Sequence, residues 1–193
     1  MQAIANIWRN AASSARDFGA DSRALAATEF AVMVPLMLVL FFGTIEVSSG
    51  VAIDRKVTIM ARTLSDLTSQ STSVGDTDMT NFFAASYGIM TPYYNSTVTS
   101  ATISELYVDP TTKVARVQWS KGSSARSQAS VVTIPSTLAI GGTYVIFSEV
   151  SYVYTPTIGY VLTSSITLSD VAYSRPRQST CVYYSSSTSC TTY

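Results

Sequence analysis

Histidine is absent from this chain of 193 residues, and charged residues make up only 12% of it with no net charge. Without an imidazole, the chain lacks the most common general base and a common metal ligand. It also lacks the basic surface on which proteins bind the phosphates of nucleic acid. The composition therefore argues against nucleic-acid binding and against most familiar catalytic sites.

Motifs for catalysis without histidine are also missing. No serine stands three residues before any lysine, as a Ser-Lys nucleophile requires, and no Gly-x-Ser-x-Gly or phosphate-cradling glycine loop occurs. A pair of acids for glycoside cleavage is not excluded, because four acidic residues could meet in space: Glu105, Asp109, Glu149 and Asp170. We expect a protein that is not an enzyme, with no catalytic residue, no cofactor and no small-molecule substrate.

Cysteine is nearly absent too, with Cys181 and Cys190 at the ends of the stretch "CVYYSSSTSC". In an oxidising compartment the two can close a loop, which by chain entropy stabilises the fold by about 3 kcal/mol or less. The alternative is two free thiols in a loose tail. A zinc site would need further cysteine or histidine ligands. We therefore expect a disulfide and no bound metal.

One long apolar run stands out, since every residue from Phe30 to Phe42 is apolar. With its flanks, residues 25–28 and 43–47, the run reaches the roughly 20 residues that span a bilayer. A buried core helix and a cleaved secretory signal are the alternatives. The run predicts one membrane helix in contact with the lipid bilayer. Inside it, Pro35 removes the hydrogen bond to the Ala31 carbonyl and predicts a kink.

An amphipathic pattern follows the apolar run. Apolar residues recur at spacings of four, three, four and three, and no proline interrupts the chain between Pro35 and Pro92: Ile53, Val57, Met60, Leu64 and Leu67. This seam predicts that one helix continues to about residue 67, roughly 65 Å in all. It can pack against the protein's own folded domain, against partner helices, or against both.

The remaining chain predicts a small α+β domain. The polar stretch "SQSTSVGDTD" ends the long helix, and "MTNFFAASYGIM" follows as a short helix capped by Thr77 or Asp78, with its buried side drawn from Phe82, Phe83, Ala85 and Ile89. A hairpin around residues 109–112 and two later runs rich in valine, isoleucine and tyrosine predict an antiparallel sheet covered by the helices. The predicted divisions are a short cytoplasmic N-terminal segment or leader at 1–24, the helix at 25–70, and an extracytoplasmic domain at 71–193.

The distribution of basic residues does not decide the orientation of the chain in the membrane. Three basic residues precede the membrane segment and three follow it: Arg9, Arg16 and Arg23, then Arg55, Lys56 and Arg62. The cysteine pair, the tyrosines and the surface rich in serine and threonine favour an exported C-terminal domain. We expect a single-pass protein whose N-terminus is cytoplasmic.

The stretch "RALAATEFAVMVPLMLVLFFGTIEVSSG" resembles the N-terminal membrane segment of TadE/TadG-like pilus assembly proteins of the tight-adherence (Flp-type) system. The residues that carry the resemblance are Ala24, Glu29, Phe30, Ala31, Pro35, Gly43 and Glu46. Three later stretches resemble downstream segments of the family more loosely: "VARVQWS", "FSEVSYVYTP" and "YSRPR". The resemblance implies a pilin-like fold in the bacterial inner membrane with a periplasmic domain, which can reach the pilus or cell surface after assembly. Its implied partners are other pilins, pseudopilins and pilus assembly proteins.

The same resemblance implies a role for Glu29. Processing would fall between Ala24 and Leu25, where prepilins usually carry glycine before the cut, and Glu29 would become the fifth mature residue. In pilins that glutamate is thought to pair with the N-terminal amine of a neighbouring subunit. From the residues alone, Glu29 can instead lie at the headgroup level and favour a helix N-terminus through the helix dipole.

Two functions follow from these patterns. The first is a minor pilin or pseudopilin-like component that uses its helix and its sheet domain as contacts in pilus initiation, at the tip or during assembly. The second is a membrane-tethered binding or adhesion domain that never enters a pilus and recognises its ligand through the tyrosine-rich strands and the loop between the cysteines. The two functions differ in whether the helix binds partners or only tethers the domain to the membrane.

Overall fold

The computed structural model describes residues 22–156, 164–185 and 190. In chain order the elements are α1 (Ser22–Ser69), β1 (Ser73–Val74), α2 (Asp76–Ile89), β2 (Thr99–Val108), β3 (Ala115–Gly122), β4 (Val131–Val132), β5 (Tyr144–Tyr154), β6 (Ile166–Ser174) and β7 (Tyr183–Tyr184). The chain divides into two compact units inside α1, after Val47. The second unit contains α1 from Ser48 onward, α2 and the strands, so the division falls within the segment 25–70 that the sequence treats as one.

Helix α1 runs for 48 residues without interruption, and Pro35 lies inside it. It ends at Ser69, where the polar stretch begins. The α+β expectation is confirmed, since the long apolar helix is followed by a second helix and an antiparallel sheet.

The main sheet has the strand order β4-β3-β2-β5-β6, and all neighbours are antiparallel. Strands β2 and β3 form the predicted hairpin, in which the Asp109 carboxylate accepts hydrogen bonds from the backbone N–H groups of Thr111 and Thr112 at 2.8 and 2.7 Å. The register shifts between Glu105 and Leu106, which indicates a β-bulge. Strands β2 and β5 occupy the middle of the sheet and carry most of its buried residues.

One core lies between the outer half of α1 and the sheet. The Ser148 hydroxyl on β5 donates a 2.6 Å hydrogen bond to the carbonyl of Ala61, which fixes the face of β5 that looks toward the helix. Because side chains alternate along a strand and directly paired residues share a face, the sheet's contribution to this core comes from Ala101, Ile103, Ile146 and Val150. The helix contributes Ile53, Val57, Met60, Ala61 and Leu64, each at most 1% exposed.

The seam changes at the last turn of α1. Leu67 is only half-buried, whereas Thr68 is buried and its hydroxyl donates to the Leu64 carbonyl at 2.9 Å. The spacing of four from Leu64 therefore continues the buried stripe through a threonine. That polar residue is tolerated there because its hydroxyl is hydrogen-bonded.

A second, smaller core covers part of the opposite face of the sheet. Its buried residues are Leu106, Val108, Ala115, Val117, Val132, Val145 and Phe147. Ile134 and Ala139, from the connection between β3 and β5, pack against it. The sheet is therefore covered on both faces over this part, and a simple alternation of buried and exposed residues is lost.

The N-cap of helix α2 lies two residues before Thr77 and three before Asp78, the two predicted caps. Gly75 is the N-cap, and the Asp78 carboxylate accepts a 2.8 Å hydrogen bond from its backbone N–H. The buried residues of the helix are Met79 and Ser86 rather than the predicted set, in which Phe82, Phe83 and Ile89 are half-buried and Ala85 is exposed. At the other end, the Lys56 ammonium donates to the carbonyls of Ile89 and Thr91 at 2.8 and 3.0 Å. A residue of α1 thus caps the C-terminus of α2.

Candidate functional site: an apolar helix and a clasped C-terminal tail

The first half of α1 exposes apolar surface on all sides. Its apolar window has a mean hydropathy of 2.2, and only 11% of the window is buried. The exposed side chains include Leu25, Phe30, Val32, Met33, Leu36, Met37, Leu38, Val39, Leu40, Phe41, Ile45 and Val47. Water disfavours this surface and a bilayer matches it, so the segment is a candidate membrane anchor.

The polar side chains of this segment suit an apolar medium. The hydroxyls of Thr28 and Thr44 donate to the carbonyls of Leu25 and Leu40, each at 2.8 Å, so neither is left unpaired. Glu29 is exposed and is the single charged residue between Leu25 and Ile45. Glu46 lies 17 residues further along and is 2% exposed. Of the two carboxylates in the TadE/TadG-like pattern, Glu29 is thus the one that a neighbouring molecule can reach.

The other expected site residues of the anchor lie on the same helix. Ala24 and Leu25 fall in the first turns of α1, and Leu25 is exposed. Pro35 lies in the middle of the apolar segment and is exposed. Because proline has no N–H, the Ala31 carbonyl lacks its usual helical donor and offers an acceptor to a neighbouring helix.

The predicted disulfide between Cys181 and Cys190 is confirmed. Cys181 is 1% exposed, and the residue after it, Val182, is fully buried. Cys181 and Val182, at the start of the C-terminal tail, are therefore packed into the second unit, and the alternative of loose free thiols is excluded.

Glu105 holds this tail in place from the middle of the sheet. It lies on the face of β2 that looks toward α1, is 3% exposed, and accepts a 2.6 Å hydrogen bond from the Val182 N–H and a 3.0 Å bond from the Trp119 indole N–H. The same indole N–H also donates to the Val182 carbonyl at 2.8 Å. We refer to Glu105, Trp119 and Val182 as the C-terminal clasp.

Burial dominates the electrostatics of the clasp. It raises the pKa of Glu105 from 4.5 to about 7, although the hydrogen bonds from Val182 and Trp119 work in the opposite direction. Nearby, burial and then the charge of Glu105 raise the pKa of Tyr144 to about 12. Sequence reasoning considered Glu105 only as a possible catalytic acid. The available signal for its burial was its position inside the apolar strand "TISELYV".

Further contacts fasten the tail beyond the clasp. Strand β7 pairs in parallel with β1, and the Tyr184 ring lies 5.4 Å from the Trp119 ring. The Lys121 ammonium lies 4.7 Å from the centre of the Tyr184 ring and 3.2 Å from the Asp76 carboxylate. The Tyr184 hydroxyl donates to the same carboxylate. This hydrogen bond is the largest cause of the lowered pKa of Asp76, and Lys121 is the next. The tail therefore joins the sheet to the start of α2.

An ion pair ties the tail to the end of α1 as well. The Arg177 guanidinium binds the Asp66 carboxylate, and the backbone N–H of Arg177 donates to the Ser69 carbonyl at 2.9 Å. The end of α1 is thus held by the segment that leads from β6 into the tail.

The four acids left open for glycoside cleavage lie in different places. Asp109 is in the hairpin turn and Glu105 is in the clasp, whereas Glu149 and Asp170 line one cleft. Both carboxylate oxygens of Glu149 are bound by Arg126, which sequence reasoning did not single out. In the described part of the chain, no group of three or more acids and cysteines is placed to hold a metal ion.

Comparison with known proteins finds a similarity in helix α1. The family model of the TadE-like protein matches residues 25–63, which span the exposed apolar segment and the first three residues of the seam. No curated protein and no solved structure matches the chain. The match confirms the resemblance carried by the apolar segment. The match covers 39 of the 193 residues, so the similarity to TadE-like proteins is shown for this helix.

Proposed function

We propose that this protein is a minor pilin or pseudopilin-like component of a tight-adherence pilus machine, anchored in the bacterial inner membrane. The observation that carries the proposal is the largely exposed apolar half of α1, which belongs to the segment that matches the TadE-like family. The helix acts by packing against other pilins, pseudopilins and assembly proteins in the membrane. The folded unit acts by contacts outside the membrane.

Glu29 gives the helix its selectivity in this proposal. An unpaired carboxylate in lipid costs at least about 2 kcal/mol, so an exposed Glu29 drives the helix toward a cationic partner. Processing between Ala24 and Leu25 creates such a cation on each subunit, the N-terminal amine. The amine of one subunit then pairs with Glu29 of the next.

The folded unit lies in the periplasm. The Cys181–Cys190 disulfide supports this location, because disulfides persist in oxidising compartments. The covered sheet and the fastened tail give the unit a stable surface for partners. The role is structural rather than catalytic.

Replacement of the anchor tests the proposal. Residues 25–47 are exchanged for an unrelated apolar span of equal length, and co-purification with pilus components and the number of pili are measured at equal protein levels. If the helix binds partners, both fall while membrane insertion persists. A tethered binding domain predicts the opposite result, in which pili and partner recovery stay normal, and this result would refute the proposal.

A further inference from the structure

The face of the sheet opposite α1 is covered over only part of its length. Where the second core ends, β2, β5 and β6 form a cleft of about 280 Å³. Its floor consists of two cross-strand rows: Ser100, Ser151 and Ser169 in one, and Thr102, Glu149 and Val171 in the next. We propose that this cleft binds a neutral saccharide.

The loop after β3 forms a wall of the cleft, and hydrogen bonds to the sheet hold it in position. The backbone N–H groups of Ser123 and Ser124 donate to the Ala101 carbonyl at 2.9 Å and to the Thr102 hydroxyl at 3.1 Å. The N–H of Arg126 donates to the Ser120 hydroxyl at 3.0 Å. Because these bonds lie within the protein, the site is preorganised and little ordering is needed on binding.

The charges of the cleft disfavour an anion. Arg126 binds Glu149 in a bidentate pair, with Nε and Nη2 at 2.7 and 2.5 Å from the two carboxylate oxygens. Arg126 also lies 5.8 Å from the centre of the Phe147 ring, which holds the guanidinium in place. Since Asp170 also lines the cleft, no net positive charge is left for a phosphate or a sulfate.

Unused hydrogen-bonding groups identify the class of ligand. Within the described residues, no side-chain hydrogen bond is made by four hydroxyls that line the cleft: Ser100, Ser124, Ser151 and Ser169. Each hydroxyl both donates and accepts, and the guanidinium retains free N–H donors. Sugar hydroxyls have the same dual capacity. A lysine side chain would use only the acceptors, and an aliphatic ligand would use neither donors nor acceptors.

The size and the apolar wall of the cleft agree with this ligand. With strands about 4.8 Å apart, the row of three serines spans roughly 10 Å, which is long enough for more than one pyranose ring. Val171, 46% exposed, supplies an apolar contact for the C–H face of a ring. Glu149 is held at both oxygens by Arg126, so the cleft binds its saccharide and does not hydrolyse it.

The experiment titrates disaccharides into the full chain. The isotope-labelled protein is held in a phosphocholine detergent, since maltoside detergents themselves carry a sugar, and backbone amide shifts are followed with maltose, lactose and N,N′-diacetylchitobiose. Comparison of the three probes distinguishes binding of a hexose from binding of an N-acetylhexosamine. We expect saturable shifts confined to the cleft for at least one probe, with a Kd of about 1 mM.

Two variants locate the binding. The double variant Ser151→Ala/Ser169→Ala removes two unpaired hydroxyls and no bond within the described protein, and it should weaken binding about tenfold. Ser136→Ala, at an exposed serine in the connection between β3 and β5, should bind like the wild type. Amide shifts away from the cleft show that both variants are folded.

Three outcomes would overturn the proposal. They are the absence of saturable shifts with any of the three sugars at about 50 mM, equal binding by the double variant, and preferential occupation of the cleft by a lysine-containing peptide. None of these results depends on pilus assembly, so the site and the proposed function stand or fall separately.

Discussion

Glu105 accepts a 2.6 Å hydrogen bond from the backbone N–H of Val182, a residue 77 positions later in the chain. The carboxylate comes from the middle of the sheet and the N–H from the tail next to the disulfide. The stability of the tail is therefore linked to the protonation of one buried side chain.

This link predicts a pH-dependent stability. The pKa of Glu105 is about 7 in the folded protein and 4.5 as its ordinary value, so between these values the folded state retains a proton that the unfolded state has lost. Stability should fall as the pH rises through this window, by up to about 3 kcal/mol. The neighbouring Tyr144, whose pKa is raised to about 12, stays neutral there. Denaturant unfolding at several pH values measures the change.

Glu105→Gln provides the control for this prediction, because glutamine has nearly the same shape and does not titrate. The difference between wild type and variant isolates Glu105 from the other acids. Parallel pH profiles for the two proteins would show that Glu105 is not the linked group.

The disulfide should contribute measurably to stability. Because the bridge closes a short loop, Cys181→Ser/Cys190→Ser should lower the free energy of unfolding by at most about 3 kcal/mol. A reductant should destabilise the wild type and leave the double variant unchanged. Quantitative alkylation of the untreated protein would mean that the bridge is not formed.

Two glycines should respond oppositely to alanine. At Gly50 an added Cβ would lie 3.6 Å from the Tyr154 ring, which is ordinary contact, so Gly50→Ala should stabilise α1 by about 1 kcal/mol. At Gly122, with φ at +131°, the Cβ would lie 2.2 Å from the Ala101 carbonyl oxygen, so Gly122→Ala should destabilise strongly. Thermal unfolding of both variants and of the wild type measures these changes. A higher Tm for Gly122→Ala than for Gly50→Ala would contradict this account.

Glu29→Gln should impair assembly while the protein still inserts. The amide keeps the size of the side chain and loses its charge, so pairing with a partner's amine is lost. Asp54→Asn is the matched control, since Asp54 is an exposed acid on the same helix outside the apolar segment. If Glu29 acts only on the helix dipole, worth about 0.3–1 kcal/mol, then piliation by both variants stays normal at wild-type protein levels.

Protease accessibility should report the orientation. With a periplasmic domain, protease added to intact spheroplasts digests the residues after Ser69 and leaves the N-terminus of the membrane helix untouched. Digestion of that domain only after lysis would reverse the proposed topology.

Sequence reasoning succeeded where one strong local pattern decides the structure. The apolar run and the seam predict α1, and the Asp109–Pro110 turn predicts the β2–β3 hairpin. The presence of only two cysteines, in a chain expected to be exported, predicts the bridge between Cys181 and Cys190.

The clasp and the cleft could not be predicted, because they depend on contacts between distant segments. Burial of Glu105 is invisible to an alternation pattern when both faces of a sheet are covered. Similarly, Glu149 pairs with Arg126 because the loop after β3 folds back over β5. The parallel pairing of β1 with β7 is too short to leave a periodic signal.

The clasp also sets an order for folding. Residues are synthesised from the N-terminus, so β2 and β3 are made before Val182. Until Val182 arrives, Glu105 and the Trp119 indole lack their partner and remain hydrated, and the surface that the tail will cover stays open. The last step in folding of the domain therefore waits for residues 181–185, and a chain stalled before that point would present an unfinished surface to chaperones and proteases.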